Sequence, residues 1–277
     1  MPHWLPVAIL AAAAGCAEPP PDGGVLVVDA SGVERSLVEP ARRIVSLVPS
    51  ATAVLRALGE EDRLVGRTQF DTAEWAAKIA SVGRGIDPSL EHVIERDPDL
   101  VIFYQGDDSR GIADRLGEFG IPTVSVKTGL MEDVFRQVEI VGAVTGSEDR
   151  AAALVADLRN RLGSLRALSE DRKGPSVVYV LGGTPPFVAT RGSWVNEIVE
   201  TAGGKNPLDE DGGFVPISPE VLRFAAPDIV LVNTASDWDP RLAPDARVIE
   251  LGGRLQVPGP GIAEDAEYLH GLFFPHD

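Results

Sequence analysis

The chemistry most visible in this chain is a pair of carboxylates held at matched places in a repeated phrase. Residues 89–103 read SLEHVIERDPDLVIF, and residues 218–232 read SPEVLRFAAPDIVLV. In each copy a serine stands two residues before a glutamate, Glu91 or Glu220, and an aspartate, Asp99 or Asp228, follows eight residues later at the entrance of an apolar run. Two glutamates at equivalent positions form a pseudo-twofold pair, which suits a partner that is itself twofold. Arginine is the matching side chain, because its planar fork meets a carboxylate through two parallel hydrogen bonds.

Catalytic and metal-holding sets are thin. The four histidines, His3, His92, His270 and His276, form no two-histidine helical pair. No GxGxxG follows a strand, and neither a Walker loop nor a GxSxG elbow occurs. Gly182-Gly183-Thr184 is a tight turn, but Pro185 and Pro186 after it lack the amides that a phosphate would need. The expectation is a protein with no catalytic residue, no metal site and no cofactor of its own.

The elements that position the carboxylates follow from local physics. Ser89 and Ser218 can accept an orphan amide of a first helical turn, and the glutamates fall near that positive helix end. Pro98 and Pro227 stop the helix. The continuously apolar runs 100–103 and 229–232 suit strands covered on both faces of a parallel sheet. Each copy therefore reads helix, turn, strand, and two copies predict two α/β lobes. Around them, residues 25–37 read as a hairpin turning at Ala30-Ser31-Gly32, and 43–48 as a core strand. Ser50 is expected to cap a helix that Gly59 ends. Residues 132–169 keep a three-to-four apolar spacing, a long backbone helix between the lobes with a break expected at Gly146-Ser147.

Composition narrows the partners. The chain has 277 residues, 44% hydrophobic content and a net charge of −17, which suits two packed lobes and argues against nucleic acid or an anionic lipid face. Cys16 is the single cysteine, so disulfides and thiolate metal sites are excluded. It ends a short apolar stretch followed by Ala13-Ala14-Gly15, which resembles the lipobox of bacterial lipoprotein signal peptides. The expected organisation is a signal peptide over 1–16 lipidated at Cys16, a Pro/Gly-rich tether over 17–24, a first lobe over 25–129, the interlobe helix over 130–172 and a second lobe over 173–277. The membrane is then reached only through the lipid anchor, in the periplasm or at the cell surface.

Taken in order, RIVSLVPSATAVLRALG, VGRGIDPSLE with PDLVI, the long mid-chain helix, GGTPPF, and PISPE with PDIVLV resemble the periplasmic substrate-binding proteins that deliver cobalamin, haem and ferric siderophores to ABC importers. The likeness runs from about Val25 to the C-terminus and is greatest to cobalamin-binding members. It implies Rossmann-like α/β lobes joined by a backbone helix, with ligand in the cleft between them. It also implies that Glu91 and Glu220 pair with arginines on a permease dimer, and that the protein is a monomer that captures ligand without chemistry. The ligand it implies is a corrinoid such as cobalamin, with haem or a ferric siderophore as the alternative and a non-transport interaction module as a second one.

In open α/β sheets ligands meet the loops after the strands' carboxyl ends. The candidate ligand-binding residues there are Ser50, Phe70, Asp71, Arg84, Tyr104, Phe187, Trp238 and Arg254. Aromatics are only 6% of the chain, yet Phe70, Tyr104, Phe187 and Trp238 all fall on these loops, where rigid rings suit a flat macrocycle. Arg84, Arg191 and Arg254 could meet ligand carboxylates or amides.

Overall fold

The computed structural model describes residues 23–106 and 110–275; Cys16, the expected lipidation site, lies outside them. The chain opens with the expected hairpin, β1 (Val25–Val28) antiparallel to β2 (Glu34–Leu37). Asp29 fixes its turn, accepting from the Ser31 amide (3.0 Å) and hydroxyl (2.6 Å), the Val33 amide (3.2 Å) and Arg35 Nε (2.9 Å). Burial pushes the Asp29 carboxyl up, but the hydrogen bonds from Ser31, Arg35, Ser125 and Val33 outweigh it and hold the group below its ordinary range.

The first lobe is a four-stranded, wholly parallel sheet. Its strands are β3 (Ile44–Ser46), β4 (Leu64–Gly66), β5 (Leu100–Tyr104) and β6 (Thr123–Val126), in the order β4-β3-β5-β6. Helices α1 (Pro49–Ala57), α2 (Leu90–Ile94) and α3 (Arg110–Glu118) flank it. Ser50 does not cap α1. Pro49 occupies the first turn, where its missing N–H costs nothing, so Ser50 lies inside the helix and its hydroxyl accepts from Gln137 Nε2 at 2.9 Å.

The predicted break at Gly146 is a full reversal. Gly146 takes φ 68°, the left-handed conformation that ends α4 (Met131–Thr145), and α5 (Glu148–Ser169) runs back along it. Glu132, at the start of α4, consequently pairs with Arg159 of α5 at 2.7 Å. The long helix that carries the chain from one sheet to the other is the 22-residue α5.

The second sheet has the order β11-β10-β7-β8-β9. Strands β7 (Val177–Gly182), β10 (Ile229–Val232) and β11 (Arg247–Glu250) are parallel, whereas β8 (Phe187–Ala189) and β9 (Phe214–Pro216) add antiparallel strands. Helices α6 (Trp194–Thr201), α7 (Pro219–Ala225) and α8 (Ile262–Phe273) complete the lobe.

Both sheets lean on one continuous core. Leu100 and Ile102 of β5, Ile229 and Leu231 of β10, Val138 of α4, Leu158 and Leu162 of α5, and Leu269 of α8 belong to it. The alternate residues face outward into local cores: Val101 and Phe103 meet Val93 and Leu116, and Val230 and Val232 meet Leu222 and Trp238. This period of two explains why the repeated runs are apolar throughout, since each strand is buried on both faces.

Candidate ligand-binding site

The strand ends of the first lobe open onto an apolar bowl of about 310 Å³. Leu47, Val48 and Pro49 arrive from the end of β3, Phe70 from the loop after β4, and Tyr104 from the end of β5. A segment carrying Arg84, Gly85 and Ile86 forms one rim. The second lobe closes the opposite rim with Gln256, Val257 and Pro258, beyond β11. Phe70 is 50% exposed and Ile86 61% exposed, so their apolar surface is free to stack on a ligand.

Local structure explains how each wall is held. Asp71 accepts from the Thr68 amide (2.9 Å) and hydroxyl (2.6 Å), and the Phe70 amide donates to that hydroxyl at 3.1 Å. Asp71 is thus buried under the loop and orients Phe70. Gly85 permits the rim to approach β3, because a Cβ there would sit 2.4 Å from the Leu47 carbonyl oxygen. In the second lobe the Tyr179 hydroxyl donates to Asn233 Oδ1 at 3.1 Å and lies 3.4 Å from the Leu255 carbonyl, fixing the segment that delivers residues 256–258. Burial pushes the Tyr179 phenol up, so it remains a donor.

Of the eight residues proposed from sequence, the structure brings Ser50, Phe70, Arg84 and Tyr104 together in the bowl. Arg84 is its only charged wall residue and has no ion-pair partner among the described residues. The other four lie elsewhere. Asp71 supports the loop from below. Arg254 is drawn to α8, where it pairs with Asp265 at 2.8 Å and stacks 4.5 Å over Tyr268. Phe187 begins β8. Trp238 is 7% exposed and packed in the local core of the second lobe. It lines a separate hollow of about 370 Å³ with Pro185, Pro186, Asp237 and Pro219. Arg191 is engaged by Asp209 and Asp211, each at 2.8 Å. Sequence reasoning missed Ile86, Thr128, Gln256, Val257 and Pro258. For Ile86, Val257 and Pro258 the available signal was an apolar residue inside a glycine- and proline-rich loop beyond a strand's carboxyl end; Thr128 and Gln256 carried none.

A wider hollow of about 560 Å³ lies along the hairpin and β6, with Arg35, Gln105, Asp114 and Lys127 on its walls. Its walls mix polar with apolar groups, Val33 and Phe103 among them, and come from one lobe alone, so the smaller and more apolar bowl is the better match for a ligand held between lobes.

The two glutamates stand where the repeat predicts. Ser89 Oγ accepts from the His92 amide and Ser218 Oγ from the Val221 amide, each at 3.3 Å, capping α2 and α7. Glu91 and Glu220 follow on the first turns, exposed. Each helix returns through a short turn into its strand, so its N-terminus lies at the strand's carboxyl end; Pro219 accordingly shares a hollow with Ser236 and Asp237 beyond β10. Both carboxylates therefore stand on helix ends directed toward the strands' carboxyl side. Among the described residues no group of three or more His, Asp or Glu could hold a metal, and no helix is long and apolar enough to cross a membrane.

Comparison with known proteins gives a consistent answer. A family model described as periplasmic binding protein matches residues 44–246. The ABC transporter substrate-binding lipoprotein YvrC of Bacillus subtilis is 27% identical over 218 residues, covering 76% of this chain and 69% of that protein. The vitamin B12-binding protein of Vibrio parahaemolyticus is 27% identical over 197 residues, covering 70% and 72%. A periplasmic haem-binding protein of Pseudomonas aeruginosa superposes with a TM-score of 0.74 at 24% identity, covering 85% of this chain and 94% of that one, a likeness of fold.

Proposed function

The chain belongs to the periplasmic binding protein family, and from that premise we propose that it is the substrate-binding component of an ABC importer that captures a corrinoid such as cobalamin. The observation that carries the reading is the bowl itself. Two aromatic rings and a set of aliphatic side chains stand at the carboxyl ends of parallel strands, and the second lobe supplies the far rim. Such a surface desolvates the face of a flat macrocycle, at roughly 25 cal/mol per Å² of apolar area removed from water. Binding and release would involve no chemistry. The common core beneath both sheets resists hinging, so capture proceeds with little closure of the lobes.

Delivery would use Glu91 and Glu220, one on each lobe and both on helix ends directed toward the strands' carboxyl side, against basic sites on a permease dimer. The net charge of −17 favours such a basic partner. Lipidation at Cys16 would hold a monomeric protein at the membrane, with residues 17–24 as tether and residues 25–129 and 173–277 as the lobes around the helical segment 130–172.

Haem is the second reading, favoured by the Tyr104 phenol and the Arg84 guanidinium, which has no ion-pair partner among the described residues, in one bowl: an oxygen able to ligate iron beside a cation able to meet a propionate. An absorption titration against cyanocobalamin, haem and a ferric siderophore separates them. Saturation by cyanocobalamin at one per chain is expected; saturation by haem alone would transfer the assignment to the second reading, and silence across the panel would reject both.

A further inference from the structure

The two glutamate-bearing helices share a scaffold and differ in what surrounds the glutamate. Val93 of α2 and Leu222 of α7 are both fully buried beneath their helices. Glu91 and Glu220 are both exposed. One residue beyond the glutamate stands His92 in the first lobe and Val221 in the second; four residues beyond stand Glu95 and Phe224. His92 and Glu95 are exposed polar groups, and Glu95 lies 3.3 Å from Arg96. Val221 is 40% exposed and Phe224 93% exposed.

A lone apolar residue in water is ordinary on a soluble protein. Phe224 is not placed at random, however. Residues four apart lie on one helical face, about 5–6 Å between Cβ atoms, so Phe224 and Glu220 point to the same side of α7. The helix is held rigidly there by the Ser218 cap, by Pro219 in its first turn and by the Leu222 anchor. Whatever meets the Glu220 carboxylate comes within reach of the Phe224 ring.

Resting on the docking role given above to Glu220, we propose that Phe224 is an apolar anchor for the importer's membrane subunit: it enters an apolar socket of the same protein surface whose cation meets Glu220. The first lobe makes a polar contact through Glu91 with no such anchor. The interface is thus chemically lopsided on a nearly symmetric scaffold. A protein occupant is favoured over bare lipid because the anchor is one turn from a carboxylate in a chain of charge −17, which an anionic membrane surface repels. Aromatic side chains that bury fully at an interface centre are the usual source of its affinity.

The test measures affinity of the protein for the importer's membrane subunits held in lipid nanodiscs, alongside cyanocobalamin affinity and thermal stability. Phe224→Ala is expected to weaken the complex at least 10-fold, with ligand affinity and melting temperature unchanged because the side chain is in solvent. Glu95→Ala should stay within about twofold. The Phe224→Ala loss should persist at high salt, whereas the loss from Glu220→Arg should shrink as salt screens it. A complex as tight for Phe224→Ala as for the parent would overturn the proposal. If Glu220→Arg still loses the complex in that case, the docking reading survives; if Glu220→Arg also binds normally, that reading falls too. Equal loss of Phe224→Ala affinity for empty nanodiscs of the same lipid would overturn the protein occupant in favour of the bilayer.

Discussion

The helix-turn-strand units of the two lobes agree wherever a side chain serves the fold and, apart from the matched Glu91 and Glu220, part where it faces outward. Asp99 accepts from the amides of Arg42 (2.8 Å) and Arg43 (2.9 Å), pinning the entrance of β3 beside β5. Asp228 accepts from the amide (2.8 Å) and hydroxyl (2.7 Å) of Ser176, pinning the entrance of β7 beside β10. Asp97 and Ala226 are both left-handed, φ 48° and 41°, at the same place in the turn, and Pro98 and Pro227 are both buried after them. The same backbone path, even at a strained residue, holds in both lobes, while His92 and Glu95 give way to Val221 and Phe224. The lobes also differ in how they use their strand ends. The first places Phe70 and Tyr104 on an open bowl while Phe103 stays in its local core, and the second packs Trp238 into its core and contributes one rim. Under the proposed function, ligand contact and fold support are divided unequally between two similar units.

This comparison can be broken at several points. The largest effect is expected from Glu91→Arg combined with Glu220→Arg, which should abolish ligand uptake by cells while leaving ligand affinity unchanged; uptake at the parental rate would remove both glutamates from delivery. Next, Trp238→Ala should cost about 3–5 kcal/mol of stability in denaturant titrations, as large core truncations do, with ligand affinity much less affected. Tyr104→Ala and Phe70→Ala should do the reverse, weakening ligand binding by about 1–2 kcal/mol each with little change in unfolding. A Trp238 variant that unfolds normally but loses ligand would invert the division between the lobes.

The smallest effect concerns the strand clamps. Hydrogen bonds from the Ser176 amide and hydroxyl hold the Asp228 carboxyl below its ordinary range. A depressed folded-state pKa gives stability that is present above the unfolded value, about 3.9, and is lost as pH falls through the folded value. Solvent screens this exposed carboxylate, so Asp228→Asn should destabilise by less than about 1 kcal/mol near neutrality, and the gap to the parent should close in acid. A gap independent of pH would mean that the carboxylate charge is not what the clamp uses.

Much of this architecture was legible because it is local. The serine caps, proline stops and doubly buried apolar strands each follow from a few neighbouring residues, and Gly146 announced the break in the helical stretch. How far the chain turns at Gly146 was not legible, because a reversal is selected by the packing of α4 on α5 rather than by the glycine. The sequence points to Ser50 as a cap because it does not reveal that Pro49 takes the first turn and that Gln137, far along the chain, takes the hydroxyl. The bowl was half legible: Phe70, Arg84 and Tyr104 stand on strand-end loops that the α/β pattern locates. Arg254 and Trp238 also stand on such loops, but Asp265 and the second-lobe core claim them, and those competitors become neighbours only in the folded chain. Residues 256–258 reach the bowl through Tyr179 and Asn233, a tertiary arrangement with no sequence spacing of its own.

The most direct test of the central claim is a calorimetric titration of cyanocobalamin into the parent protein and into Tyr104→Ala. The account predicts saturable binding at one per chain, weakened roughly 10-fold in the variant, the equivalent of about 1.4 kcal/mol. No heat of binding in the parent, or identical affinity in both proteins and in Phe70→Ala as well, would contradict it by removing either the ligand or the bowl.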